Sequence, residues 1–229
     1  MKKIILTSIT IMIFINCYSQ TEKGMKFISG QFYINGHSSN QTQDVNSDDQ
    51  KYFSFLFLPQ YGYFVKDNIA IGGFLNFGIN NNTSTSESPG NISSLYTIKN
   101  NSINYGLGFF ARKYFKISDK FLFFENGAIS YSYQTNKNEY TFNDPNYVYS
   151  PENPSTQKSI TNIISVSLAP GLQYSMTPKL GLTTSFGNLF YSYSVTKSKS
   201  LPKERIDKSN WYGINLSVST ISFGLIYYF

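Results

Sequence analysis

His37 is followed by Ser38 and Ser39. An imidazole beside a hydroxyl is the core of an acyl-transfer site, because the base takes the proton that keeps the oxygen a weak nucleophile. Such a pair also needs a third group to orient the base, and the candidates Ser84, Ser86 and Glu87 carry no distinguishing spacing. The pair reads as a surface histidine in a polar stretch. The acidic run Asp44 to Asp49, DVNSDD, offers oxygen ligands of the kind calcium takes, but without the spacing of a calcium loop it reads as solvated chain. The sequence contains no phosphate-binding glycine loop, Cys/His metal cluster or paired-carboxylate signature. A protein that is not an enzyme and takes no cofactor or metal is expected.

Arg112 and Glu125 differ from these, because each interrupts an aromatic, apolar segment where a lone charge is costly. Their partners depend on the elements that carry them. Between Met25 and Phe229 the chain divides into eight segments of about 12 to 19 residues, rich in aromatic and β-branched types with alternating stretches, the pattern of strands. They run Met25–Gly36, Lys51–Val65, Asn68–Ile79, Ser102–Ile117, Lys120–Thr135, Ser159–Met176, Lys179–Thr196 and Trp211–Phe229. Short links at Lys66-Asp67, Ser118-Asp119 and Thr177-Pro178 read as hairpin turns. The other four links, Gly36–Gln50, Asn80–Asn101, Asn136–Lys158 and Lys197–Asn210, are rich in Asn, Ser, Thr and Pro and read as long solvated loops. Short turns at one end, long loops at the other and an even strand count predict an all-β fold: an eight-stranded antiparallel up-and-down transmembrane β-barrel.

Alternation decides which face points outward. Ile103, Tyr105, Leu107, Phe109, Ala111 and Phe115 share one face of their segment, and Asn104, Gly106, Gly108 and Arg112 share the other. Val166, Leu168, Leu172 and Tyr174 likewise oppose Ser165, Ser167, Ala169, Gly171 and Gln173. The interior of an eight-stranded barrel is only wide enough for side chains to fill, so the bulky faces belong outside. A two-sheet sandwich is the soluble rival. Phase slips are expected near Asn188 and near Ser219–Thr220, while Phe121-Leu122-Phe123-Phe124 has no readable phase. Aromatics gathered near segment ends, among them Tyr61, Tyr63, Phe64, Tyr114, Tyr227 and Tyr228, suggest bands at two membrane interfaces.

The N-terminus reads as an export signal over residues 1–19, with Lys2, Lys3, an apolar stretch from Ile4 to Ile15 and small residues before Gln20. Cutting after Ser19 removes Cys17, the only cysteine; the rival reading makes Cys17 a lipidated terminus. Loss of Lys2 and Lys3 leaves 17 basic residues against 13 acidic ones, a net charge of +4 that argues for no nucleic-acid partner. The barrel then occupies residues 20–229.

The terminal FGLIYYF, the stretch PQYGYFVKDNIAIGGFLNFG and the stretch APGLQYSMTPKLGLTTSFG resemble the small bacterial outer-membrane β-barrel family, over the whole of residues 25–229 apart from the long links. The resemblance implies location in the bacterial outer membrane and recognition of Tyr227, Tyr228 and Phe229 by the barrel-assembly machinery. A sheet enters hydrocarbon only if its last strand closes on its first, so the final segment is expected to pair with Met25–Gly36. A two-residue turn at Ser118-Asp119 sets Arg112 opposite Glu125 as an ion pair in the lumen. Lys197, Lys199, Lys203, Arg205 and Lys208 form a basic run suited to the phosphates of lipopolysaccharide. The expected role is a filled, monomeric barrel with four long external loops that serves structure or surface interaction among outer-membrane lipids. A narrow pore or carrier is the first alternative. The second is a lipid A-modifying enzyme with His37 and a serine at the rim, the placement that outer-membrane lipid-modifying enzymes of this size share.

Overall fold

The structure is a computed structural model describing residues 20–43, 46–88, 94–142, 156–200, 203–215 and 221–229. The predicted signal segment and the alternatives for Cys17 lie outside the described residues.

Among the described residues ten strands run in order: β1 Lys26–Gln43, β2 Asn46–Lys66, β3 Ile69–Ser88, β4 Ser94–Lys116, β5 Phe121–Phe142, β6 Thr156–Ser175, β7 Leu180–Ser185, β8 Asn188–Ser200, β9 Lys203–Asn215 and β10 Ser222–Tyr228. Every pairing is antiparallel, and consecutive strands from β1 to β6 are neighbours. β7 and β8 both pair with β6 and together make a seventh stave. β9 on β8 and β10 on β7 make an eighth. The ring closes where β10 pairs with β1, Phe27 opposite Tyr228 and Phe32 opposite Phe223. The chain is thus an eight-stranded antiparallel up-and-down barrel, its last strand closed on its first as a sheet in hydrocarbon requires.

The split of the seventh stave follows from one extra residue. Gly171 faces Ser185 but Leu168 faces Leu189, so four steps on one strand match three on the other, the geometry of a bulge. Gly187, at φ 68°, takes the left-handed conformation the bulge needs. The bulge reverses phase: Leu182 points outward before it, Leu189 and Tyr191 after it. The slip expected near Asn188 is therefore real. In the eighth stave the outward set likewise changes parity, from Ile214 to Phe223 and Leu225, but Ser219–Thr220 lie outside the described residues.

Outward alternation holds along the staves. Ile103, Tyr105, Leu107 and Phe109 are about half exposed or more, as are Ile164, Val166 and Leu168, while Ser102, Gly108, Gly171 and Gln173 between them are buried. In water this belt would be a large unstable surface; in hydrocarbon it is the stable one.

Two expectations about the links need correction. The polar segments read as long loops are largely paired strand: β1 reaches Gln43, β3 Ser88, β5 Phe142 and β8 Ser200. Ser, Thr and Asn cover both faces there, so alternation gives no strand signal although cross-strand hydrogen bonds such as Thr85 to Thr97 and Tyr140 to Gln157 hold the ladder. A 23-residue strand such as β4 extends about 75 Å, roughly twice the strand length that an apolar band about 25 Å tall needs at the usual tilt. The barrel wall therefore continues well beyond the belt as a polar sheet. The second correction concerns the turn after β4. Ile117 and Phe121 bracket it, with the Ile117 and Ser118 amides donating to the Phe121 carbonyl, one residue more than a two-residue turn.

Candidate functional site in the lumen

That extra turn residue shifts the register. Arg112 faces Asn126, and Glu125 faces Lys113. A one-residue slip sends alternate side chains to opposite faces, so Arg112 points into the barrel while Glu125 is exposed on the outer wall. The predicted Arg112–Glu125 ion pair does not form. Lys113 stands outside near the short-turn end, its ammonium 4.9 Å from the Phe115 ring centroid.

Arg112 is instead only 3% exposed and held by neutral partners. Nε donates to Asn126 Oδ1 at 3.0 Å, Nη2 to Gln60 Oε1 at 3.0 Å and Nη1 to the Tyr114 hydroxyl oxygen at 3.3 Å. Four rings surround the guanidinium carbon, with Phe124 at 4.5 Å, Phe110 at 5.2 Å, Phe27 at 5.8 Å and Tyr114 at 5.9 Å. Ring faces are negative, so they partly stabilise a cation taken out of water.

These rings belong to a plug that fills the short-turn end of the lumen. Phe27, Phe64, Phe110, Tyr114, Leu122, Phe124, Ile226 and Tyr228 form one buried cluster. Glycines make room for it: a Cβ at Gly62 would overlap the Phe27 ring, one at Gly72 the Phe110 ring and one at Gly171 the Phe124 ring. Phe64, Tyr114 and Tyr228, expected in an interfacial band, thus point inward, whereas Tyr227 and Phe229 do face out. The plug also explains why Phe121 to Phe124 has no readable phase. Both faces are apolar there, Leu122 and Phe124 inside and Phe121 outside.

Below the plug the segment ahead of β1 crosses the opening. Gln20 and Thr21 are buried. Gln20 Nε2 donates to the Thr177 carbonyl at 2.5 Å, and Gln20 Oε1 accepts from Ser175 Oγ and Gln173 Nε2. Gln173 Oε1 in turn accepts from the Tyr228 hydroxyl at 2.8 Å. Thr21 Oγ1 donates to Asn68 Oδ1 at 2.6 Å, tying the first turn to the same cap. No sequence signal marks this cap, since polar residues ahead of a strand look like any linker.

Above Arg112 lies a cavity of about 370 Å³ whose wall includes Gln31, Gln60, Asn126, Ser167, Ser185 and Asn188. Farther out the inner wall is lined by polar pairs, Ser165 to Ser192 at 2.7 Å and Gln134 to Ser102 at 2.9 Å on neighbouring strands and Asn76 to Ser132 at 3.0 Å one strand apart.

The other predicted residues lie on the projecting sheet. His37 is exposed opposite Tyr52, and among the described residues no hydrogen bond joins it to Ser38, Ser39 or a carboxylate. Asp44 falls outside the described residues, and Asp49 pairs with Lys51 at 3.1 Å. The basic run forms the β8–β9 hairpin, with Ser200 facing Lys203 and Lys199 facing Glu204. Lys197 and Lys208 share its outward face; Arg205 sits on the other face, its Nε 2.9 Å from Asp207.

No family model matches this chain, and no curated protein matches it. Solved structures do. OprG from Pseudomonas aeruginosa matches with a TM-score of 0.39 at 14% identity, covering 93% of this chain and 99% of its own. A major outer membrane protein from Thermus thermophilus gives 0.39 at 12% identity, covering 90% and 99%. The N-terminal β-barrel domain of Pseudomonas aeruginosa OprF gives 0.28 at 12%, covering 91% and 98%. The chain is similar to these outer-membrane barrels, and its own closed ladder and apolar exterior make it an eight-stranded barrel of the membrane-spanning type.

Proposed function

We propose that this chain is an integral protein of the bacterial outer membrane whose barrel is sealed, and which serves as a structural or surface-interaction element. The observation that carries this reading is the plug: the short-turn end of the lumen is filled by aromatic rings around Arg112 and capped by Gln20 and Thr21. A sealed barrel moves no solute through that end. What remains to interact is the polar sheet beyond the belt, which carries the basic β8–β9 hairpin. Lys197, Lys199, Lys203, Arg205 and Lys208 suit lipopolysaccharide phosphates, with Lys197 and Lys208 on the outward face as the first contacts. The terminal Tyr227, Tyr228 and Phe229 fit a signal read by barrel-assembly machinery before closure on β1.

Planar-bilayer recording of the purified full chain tests the seal. No unitary conductance is expected, and steady channels in the wild-type protein would overturn the reading. Spin labels at Leu107 and Leu168 test the orientation. Strong relaxation by lipid-dissolved oxygen is expected at both.

A further inference from the structure

We propose that the polar chamber above Arg112 is a binding site for a small carboxylate. Arginine carries five N–H donors and stays protonated at any working pH. Arg112 uses three of them, all on neutral acceptors, leaving one N–H on each of Nη1 and Nη2. Among the described residues no carboxylate forms an ion pair with it. Glu125, the acid nearest in the ladder, is turned to the outer wall.

A buried cation with only dipoles and rings for company is an expensive arrangement, and a counter-charge relieves it. Arg112 lines the cavity together with Phe110 of the plug and the polar side chains of Gln31, Gln60 and Asn126, so the buried cation stands beside open volume. About 370 Å³ is at the small end of ligand sites, which excludes acyl chains and oligosaccharides but accepts a few-atom anion. The wall supplies secondary donors. Asn126 Oδ1 is occupied by Arg112, so its Nδ2 is the atom left to donate, and Ser167 and Asn188 add a hydroxyl and an amide. A planar carboxylate matches two guanidinium N–H groups better than a spherical halide does. Ser and Thr pairs lining the wall on the outer side give a polar route, whereas the aromatic plug blocks the inner one. This inference stands on the lumen alone and does not need the surface role proposed above.

Equilibrium dialysis of labelled acetate against the folded full chain in detergent tests it, with fold checked by heat-modifiable migration. One saturable acetate per barrel is expected, displaced by unlabelled acetate and only weakly by chloride. Inorganic phosphate displacing it as well as acetate does would overturn the carboxylate assignment in favour of a general oxyanion site. Arg112→Met should weaken binding about tenfold or more, the worth of a charged hydrogen bond. Because Arg112→Met removes the centre of the plug, Ala128→Phe is the companion variant: it fills the chamber and leaves Arg112 in place. Absence of saturable binding to the wild type, or unchanged binding in either folded variant, overturns the proposal.

Discussion

The two ends of the lumen solve the same packing problem in opposite ways. At the short-turn end a cluster of buried apolar side chains fills the bore around one guanidinium, and glycines on the wall face the rings. At the far end the bore is lined by Ser, Thr, Asn and Gln that pair along the wall with partners on neighbouring or next-but-one strands. The first arrangement gains from burying large surfaces and is intolerant of volume change; the second gains little per contact and tolerates substitution. Stability therefore concentrates at the plug, which leaves the projecting sheet free to vary.

Breaking that contrast begins at the plug. Phe124→Ala should cost about 3–5 kcal/mol in urea unfolding in detergent, because it removes a fully buried ring against Arg112 and Tyr114. Gly62→Val should cost about 1–3 kcal/mol by driving a side chain into the Phe27 ring, whereas Gly127→Val, whose Cβ meets nothing nearer than 3.9 Å, should lie near wild type. Equal effects from the two glycine variants would erase the argument that the plug is tightly packed. In the outer lumen, Ser165→Ala paired with Ser192→Ala should cost less than about 1.5 kcal/mol, since both hydrogen-bonding partners leave together. A larger loss would mean that the polar pairs hold the barrel as firmly as the rings do.

The smallest effect is expected outside the belt, at the turn after β4. The Lys116 ammonium, 2.7 Å from Asp119, holds that carboxyl below the usual carboxylate range by hydrogen bond and charge. A lowered folded value means the contribution is present above the ordinary aspartate pKa of about 4 and fades as pH falls through the lowered one. Asp119→Asn should flatten that acid-side slope and lose the same small contribution at neutral pH, so that wild type and variant converge as pH falls; full exposure makes this the least of the effects. Unfolding midpoints collected downward from about pH 5 would show the difference.

Legibility follows the same division. The belt was readable because alternation survives wherever one face meets lipid and the other meets small or polar neighbours, as in Ile103 to Phe109. The plug was unreadable from residues 121–124 because ring faces inward and ring faces outward look alike in sequence. The projecting strands were unreadable for the opposite reason, since Asn, Ser and Thr occupy both faces. Arg112 lies in the lumen as its segment's alternation indicates, but Asn126 rather than Glu125 faces it, and the difference is a single turn residue.

What the amino-acid order determined by itself was a set of amphipathic strands, an aromatic closing segment and a phase slip near Asn188, all local matters of period and residue type. What only the closed ring decided was register and contents: that Arg112 faces Asn126, that Phe27, Phe64, Phe124 and Tyr228 meet from four staves, and that Gln20 and Thr21 cap them. Those contacts join residues up to some two hundred positions apart, and pairing across a sheet is fixed by turn length and bulges summed around the whole circumference, a quantity that no single stretch of sequence contains.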